Sequence, residues 1–471
     1  MPAFNKVTRE DIKAFTAMLS PDRVLVGDAV LEDYARDEMT EYGIFPPEAV
    51  LLCSTTEEVS QVLAYCNQRL IPVTPRGAGT GLCGGCVAIH GGIVLSTQLM
   101  DRLLEVDTVN MTATVEPGLL LMNFNKLLEG TGYFYPPDPG EKSATVCGNI
   151  MTNAGGMRAV RYGVTRDYVL GMEVVLADGR VLEMGGKIVK TSSGYSLMHL
   201  LCGSEGTLCV LTRATVKLLP QPAHNLSLLV PFDSLAACVA AVPAVLSSGC
   251  EPTAVEFMER EVIKAAETYL GKAFPDSSAD AYLLLRLDGE NQALMEQRLH
   301  DVTDLLLDAG ARDVLLADTE ERKMSIWDAR GAFLEAIKNS TTSMDECDVV
   351  IPRDRIPEFV AQARQVAQDL EVRIPSFGHA GDGNLHLYVC KDARDEEDWQ
   401  RVRQAAMDRL YALAEAMQGE VSGEHGIGHA KADFLLDSLG TDQIALMRGI
   451  KQVFDPRGIL NPGKVFSLDM S

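Results

Sequence analysis

The chain has 471 residues, 46% hydrophobic and 23% charged, the balance of a folded protein rather than a disordered one. Its net charge of −24 argues against non-specific binding to nucleic-acid phosphates and against adsorption to anionic lipid. At roughly 150 residues per domain, the length predicts two to four domains.

The opening stretch Met1–Asp11 has no apolar core of signal-peptide length. The longest apolar run, Leu235–Leu246, is interrupted by Pro243 and is too short for a bilayer. Cysteine occurs 11 times, an odd number without a disulfide framework, which fits a reducing compartment. No C-x2-C-x2-C run encodes an iron–sulfur cluster. A cytoplasmic globular enzyme or binding protein is expected, with no nucleic acid partner and no membrane span.

Residues up to about Glu41 read as helical, with Asp11–Phe15 opening an amphipathic stretch. Short β-like runs follow at 49–52, 71–74, 92–95 and 112–115, separated by glycine-rich turns. A helix over Thr56–Arg69 between the first two makes a βαβ-like start. Met172–Leu182 reads as a hairpin whose Asp178-Gly179 suits a type I′ turn. Beyond Leu219-Pro220-Gln221-Pro222 the texture changes, which predicts a domain boundary there. A helix at Asp233–Ser248, a strand at Tyr282–Leu287 and a helix at Asn291–Ala309 suggest an antiparallel sheet with helices on one face. A long amphipathic helix is expected from Glu396 to Gln418, and the turn-rich tail Phe454–Lys464 cannot be helical throughout.

Pro75–Gly85 contains Gly79-x-Gly81-x-x-Gly84, formally the dinucleotide fingerprint, with Asp101 about 20 residues on. The Rossmann reading needs a helix directly after the glycines, and strand-like residues follow instead, so it fails. Two more side-chain-poor loops lie at Cys147–Gly156 and Gly203–Thr207. Glycine backbones can turn several N–H groups toward an anion, so three such loops imply a long phosphate-bearing ligand; tight turns alone are the plainer alternative. Cys83-x-x-Cys86 lacks a following helix and reads as loop packing rather than a redox pair.

Half of the eight histidines fall in two motifs, Gly378–His386 and Ser422–His429. A strand–turn–strand through Gly381-Asp382-Gly383 would fold His379 back toward His386. Two imidazoles and a carboxylate make a metal site with positions open for substrate. A lone histidine is more often a hydrogen-bonded core residue.

Taken together with Tyr135-Pro136-Pro137-Asp138-Pro139-Gly140, Thr191–Tyr195 and Gly203–Leu208, the loops resemble the vanillyl-alcohol-oxidase-type FAD-binding fold. More narrowly, the chain is similar from about Pro46 to Phe466 to the branch of D-lactate dehydrogenases, glycolate oxidase D-subunits and D-2-hydroxyglutarate dehydrogenases. The resemblance implies an α+β protein: a two-part FAD-binding domain over 1–220, an α+β (ferredoxin-like) substrate and metal cap over 221–420, and a segment over 421–471 returning to the FAD domain. It implies that Pro75, Arg76, Gly77, Ala78, Gly79, Thr80 and Gly81 wrap the FAD pyrophosphate. Pro137, Asp138, Gly148, Asn149, Thr152, Ala154, Gly155, Glu205, Gly206, Val210 and Asn461 are implied along the rest of the cofactor. Some relatives attach FAD to a histidine of the first loop; Ala78 and Thr80 stand there here, so non-covalent FAD is expected.

By motif, His379, His386 and Glu424 match the ligands of one divalent metal (zinc, iron or manganese), and His425 matches the active-site base. No role carries over to His429. Ile326-Trp327-Asp328-Ala329-Arg330 matches the W-x-x-R motif, whose arginine clamps the substrate carboxylate in a bidentate fork. On its own, Arg330 reads equally as a surface residue of a helix. Relatives acting on 2-hydroxyglutarate carry a lysine where this chain has Glu346 and an asparagine where it has Tyr388. A glutamate would repel a second carboxylate, so a small 2-hydroxy monocarboxylate is expected.

The implied activity is FAD-dependent oxidation of a small D-2-hydroxy acid, D-lactate first, to the 2-oxo acid. His425 takes the hydroxyl proton and the Cα hydride goes to flavin N5. Electrons would pass to a protein acceptor such as an electron-transferring flavoprotein, with a bifurcating NAD-linked complex as one form. The alternatives are direct use of oxygen, a glycolate oxidase or dehydrogenase subunit, and a non-catalytic flavoprotein subunit.

Overall fold

A computed structural model of the chain describes residues 4–467. The chain divides into two compact units. One comprises the residues through Ala154, then Val164–Gln221, then the chain from His425 onward; the other comprises Gly155–Gly163 and Pro222–Glu424.

The first unit opens with the helix Arg9–Met18, capped by Thr8, whose hydroxyl accepts from Asp11 N–H while the Asp11 carboxylate accepts from Thr8 N–H. The expected helix does not continue to Glu41. Pro21, Gly27 and Gly43 break the i→i−4 ladder, and the chain runs through short 3-10 turns at Pro21–Arg23, Gly27–Ala29, Glu32–Ala35 and Thr40–Tyr42. A four-stranded sheet follows in the order Val24–Leu25, Ala49–Leu52, Ile93–Ser96, Val73–Arg76. The last three are parallel, so Ile93–Ser96 lies between the two strands that flank the helix Thr56–Arg69. That helix buries Val59, Val62, Leu63 and Cys66, the i, i+3, i+4, i+7 stripe expected of a helix on a sheet.

A five-stranded antiparallel sheet, ordered Leu103–Asp107, Thr112–Val115, Val210–Lys217, Val169–Val175, Val181–Gly185, completes this unit's larger elements. Its last two strands form the expected hairpin. The turn is not type I′, which needs positive φ at both central residues. Only Gly179 has it, at +87°, and Gly179 N–H closes the turn onto Leu176 C=O at 2.9 Å, the geometry of a turn followed by a glycine bulge.

The second unit is built on a seven-stranded antiparallel sheet, ordered Leu315–Ala317, His224–Phe232, Ala281–Gly289, Ala254–Glu259, Ser376–His379, Asn384–Cys390, Met344–Val350. Tyr282, Leu283, Leu284 and Leu285 are all fully buried, so the central strands are covered on both faces. The single helix expected over Asp233–Ser248 is two, Leu235–Ala240 and Val242–Ser247. Pro243 has no N–H to donate into the ladder and sits in the first turn of the second. The long helix runs over Glu396–Ala416. Among the described residues, no helix is long and apolar enough to cross a membrane.

Candidate functional site

The first glycine loop leaves the strand Val73–Arg76 and reaches Cys86 without forming a helix. Its glycines are required by close approach. A Cβ on Gly77 would lie 2.5 Å from Thr145 Oγ1, and one on Gly84, at φ +68°, would lie 2.1 Å from His429 Cε1. Thr145 caps the helix Val146–Thr152, accepting from Gly148 N–H at 3.0 Å, so the second loop abuts the first. The third joins them: Glu205 N–H donates to Met151 C=O at 2.8 Å, and a Cβ on Gly206 would sit 3.1 Å from Pro75 Cγ. Three stretches that are distant in sequence thus form one side-chain-poor cradle. Asn149 is buried within it, and its Nδ2 has no hydrogen-bond partner. An orphaned amide beside glycine backbone fits a polar ligand such as FAD.

Several residues expected at the cofactor turn their side chains to the protein instead. Arg76 donates to the Arg36 and Asp33 carbonyls at 2.9 and 2.6 Å and to Cys86 Sγ at 3.1 Å. Glu205 accepts from Ile427 and Gly428 N–H, each at 2.8 Å. Asn461 donates to the Gly85 and Glu205 carbonyls at 2.8 and 2.7 Å. Thr152 Oγ1 donates to Gly148 C=O at 3.2 Å, and Asp138 pairs with Lys142. These side chains hold the cradle's shape. Pro137 follows the buried Tyr135, Gly81 C=O accepts from Glu38 N–H at 3.1 Å, and Ala154 C=O accepts from Thr165 Oγ1 at 2.7 Å. Val210 opens the strand Val210–Lys217, while Ala78 and Thr80 stand in the first loop. Gly155 belongs to the second unit, where a Cβ would lie 3.0 Å from Glu424 Oε2.

Sequence reasoning missed the supports. Asp37 accepts from Gly84 and Met39 N–H, and burial pushes its carboxyl up to about 6. Lys464 donates to Val87 C=O, and burial lowers its ammonium to about 8. His429 places Nδ1 3.2 Å from Gly84 C=O and Nε2 3.0 Å from Tyr42 C=O, which gives it a structural place.

In the second unit, the period of two along each strand brings alternate residues to one face of the sheet. Phe377 lies opposite His386, His379 opposite Asn384, Asp348 opposite His386, and Glu346 opposite Tyr388. The turn at 380–383 does fold His379 back, with the two imidazole centroids 5.3 Å apart. Glu424 Oε1 lies 3.2 Å from His379 Nε2 and 3.4 Å from His386 Nε2. One donor atom from each of the three residues falls within 4.8 Å of the others, a spacing one cation could bridge. Asp348 aims the loop that carries Glu424: its Oδ2 accepts from Ser422 Oγ and from Gly423 and Glu424 N–H at 2.9, 3.1 and 3.2 Å.

Arg330 is not a surface residue. It is 6% exposed, with its guanidinium 4.5 Å from the Phe377 ring centroid. Trp327, one turn earlier, donates to Ser227 Oγ at 2.9 Å and so fixes the helix Glu320–Gly331 on the sheet. The partner of Arg330 is Glu256, a fully buried carboxylate that sequence reading did not single out. Glu256 also faces His379 Nδ1, at 2.8 and 2.9 Å. Burial opposes ionisation of both groups, yet they hold each other charged: Glu256 is kept below its usual range by His379 and Arg330, and His379 well above its own by Glu256 and Glu424. Burial pushes Asp382, in the turn, up to about 7. Glu256, Glu346, Asp348 and Glu424 against Arg330 and the protonated His379 leave an acidic excess that suits a cation. His425 follows Glu424 in the chain and is the first residue of the other unit's last segment.

The FAD binding domain family model matches residues 47–185, and the model for the C-terminal domain of FAD linked oxidases matches 221–465. A D-lactate dehydrogenase of Anaerostipes hadrus is 47% identical over 98% of each chain. Glycolate oxidase subunit GlcD of Bacillus subtilis is 38% identical over 93% of this chain and 92% of its own. Among solved structures, p-cresol methylhydroxylase aligns with a TM-score of 0.82 over 99% of both chains at 20% identity, which establishes the α+β fold of the vanillyl-alcohol-oxidase type.

Proposed function

Since this chain belongs to the FAD-linked oxidase family and is a flavin-dependent oxidoreductase, we propose that it oxidises a small D-2-hydroxy monocarboxylate, D-lactate first, to the 2-oxo acid. The observation that carries this reading is 47% identity to a D-lactate dehydrogenase along nearly the whole chain; the sequence motifs that hold Arg330, His379, His386, Glu424 and His425 support it. When bound, FAD supplies a two-electron acceptor, and a divalent metal on His379, His386 and Glu424 supplies a Lewis acid that acidifies the substrate hydroxyl. Arg330 holds the substrate carboxylate through the edge of its guanidinium turned away from Glu256. His425 accepts the hydroxyl proton as the Cα hydride leaves. The buried Glu346 and Asp348 beside His386 disfavour a second carboxylate, which supports a monocarboxylate. FAD is held without a covalent bond, because Ala78 and Thr80 stand in the first loop and no histidine does. Electrons then pass to a protein acceptor such as an electron-transferring flavoprotein.

Anaerobic addition of D-lactate to the purified yellow protein is expected to bleach the flavin, with L-lactate inert. Failure of both D-lactate and glycolate to bleach it overturns the proposal. Metal-free protein is expected to lose activity and regain it with zinc, iron or manganese; full activity without metal removes that part. Similarity to glycolate oxidase subunit GlcD favours glycolate as the second reading, and the ratio of kcat/KM for the two acids decides. Stoichiometric peroxide in air would replace the protein acceptor with oxygen.

A further inference from the structure

We infer that Glu256 positions both halves of the proposed site, setting the His379 tautomer for a metal and the guanidinium plane of Arg330 for a substrate carboxylate. The inference rests on the function proposed above. Glu256 stands on the strand Ala254–Glu259, paired on one side with Ala281–Gly289 and on the other with Ser376–His379, and it is fully buried. An ionised carboxylate only accepts hydrogen bonds. With Glu256 Oε1 2.8 Å from His379 Nδ1, one proton is held on Nδ1, and Nε2, which donates to Glu424 Oε1 at 3.2 Å in the metal-free site, is the nitrogen left to bind a metal once that second proton is displaced. This is the carboxylate–histidine–metal arrangement, in which the outer carboxylate fixes the ring and raises its basicity.

The same carboxylate meets Arg330. Its Oε2 accepts from Nε at 2.8 Å and lies 2.6 Å from Nη2, while Phe377 packs under the guanidinium. One edge of the fork is thereby occupied and its plane fixed, so the Nη1 edge is presented in a single orientation. Stability does not explain the triad, because a buried ion pair adds little over an apolar pair of the same volume. Substrate clamp and metal ligand therefore share one anchor, and disturbing it disturbs both.

The test uses holo-flavoprotein stripped of metal, with cobalt(II) alone as one probe and pyruvate, followed through its perturbation of the oxidised flavin spectrum, as the other. Glu256→Gln keeps the shape and drops the charge. It is expected to weaken cobalt roughly 10- to 100-fold and pyruvate on the order of tenfold, with flavin content unchanged. The cobalt d–d spectrum should shift as well, a change that a merely structural loss would not produce in the folded fraction. Glu256→Asp, which retains the charge one methylene shorter, should fall between Gln and the parent, and it serves if the Gln variant does not fold. Cobalt and pyruvate affinities within about twofold of the parent in the folded variant overturn the inference alone. A parent protein that takes neither probe overturns the proposed function with it.

Discussion

Gly84 cannot carry a side chain without moving the loop around it. Its φ is +68°, and a Cβ would enter the His429 ring. Gly84→Ala is expected to cost about 1–3 kcal/mol in backbone strain alone, and the FAD bound per chain in the purified variant should fall well below that of the parent. Stoichiometric FAD in that variant would show that the cradle tolerates the shift. His425→Asn separates chemistry from binding: the variant should keep its FAD while D-lactate no longer bleaches it. Undiminished bleaching would remove His425 from the reaction. The pair His379 and His386 was readable from sequence because Gly381-Asp382-Gly383 lies between them and a tight turn returns the strand. Glu256 was not. It is an acid inside the otherwise apolar run 254–258, and its partners Arg330 and His379 lie 74 and 123 residues away, a proximity that only the pairing order of the sheet creates.

Strands and glycine turns were legible because their signals are local, a period of two bounded by breakers. The segment after Met18 shows where local signals mislead. Its composition permits helix, but Pro21 and the glycines interrupt it, and the chain is held instead by contacts such as those of Arg76 with the Asp33 and Arg36 carbonyls. Gly155–Gly163 is a similar case: this short stretch contains the helix Ala159–Tyr162, whose Arg161 donates to Asp288 C=O at 2.7 Å, a tie no local pattern announces. The N-terminal helix offers a test of its own. Asp11 is buried, and burial would raise its carboxyl, but hydrogen bonds from Thr8, Tyr65 and Arg69 hold it down at about 2. A carboxyl lowered on folding contributes stability that is present above its unfolded pKa, near 3.9, and lost as pH falls through the folded value. Asp11→Asn is therefore expected to lose about 2 kcal/mol at neutral pH, with the gap from the parent closing between about pH 4 and pH 2. Chemical denaturation across that range measures it, and a gap independent of pH would show that the loss comes from the cap alone.

The net charge of −24 would repel the anionic ligands proposed here, so recognition has to be local. In the proposed reading, backbone N–H groups in the glycine loops and Arg330 with a metal would provide that within each unit, and the acidic remainder would take no part in holding substrate. A protein that must hand electrons onward can use such a field to draw in a basic partner, since electrostatic attraction raises encounter rates by about 10- to 1,000-fold and is screened by salt. Turnover with an electron-transferring flavoprotein should then show kcat/KM for the acceptor falling about tenfold or more between low and high ionic strength. With an uncharged quinone as acceptor it should stay level, because no field steers a neutral molecule. The quinone control also removes any effect of salt on hydroxy-acid binding. If kcat/KM for the protein acceptor is flat while the enzyme remains active, the acidic surface serves solubility, and the docking contact is apolar.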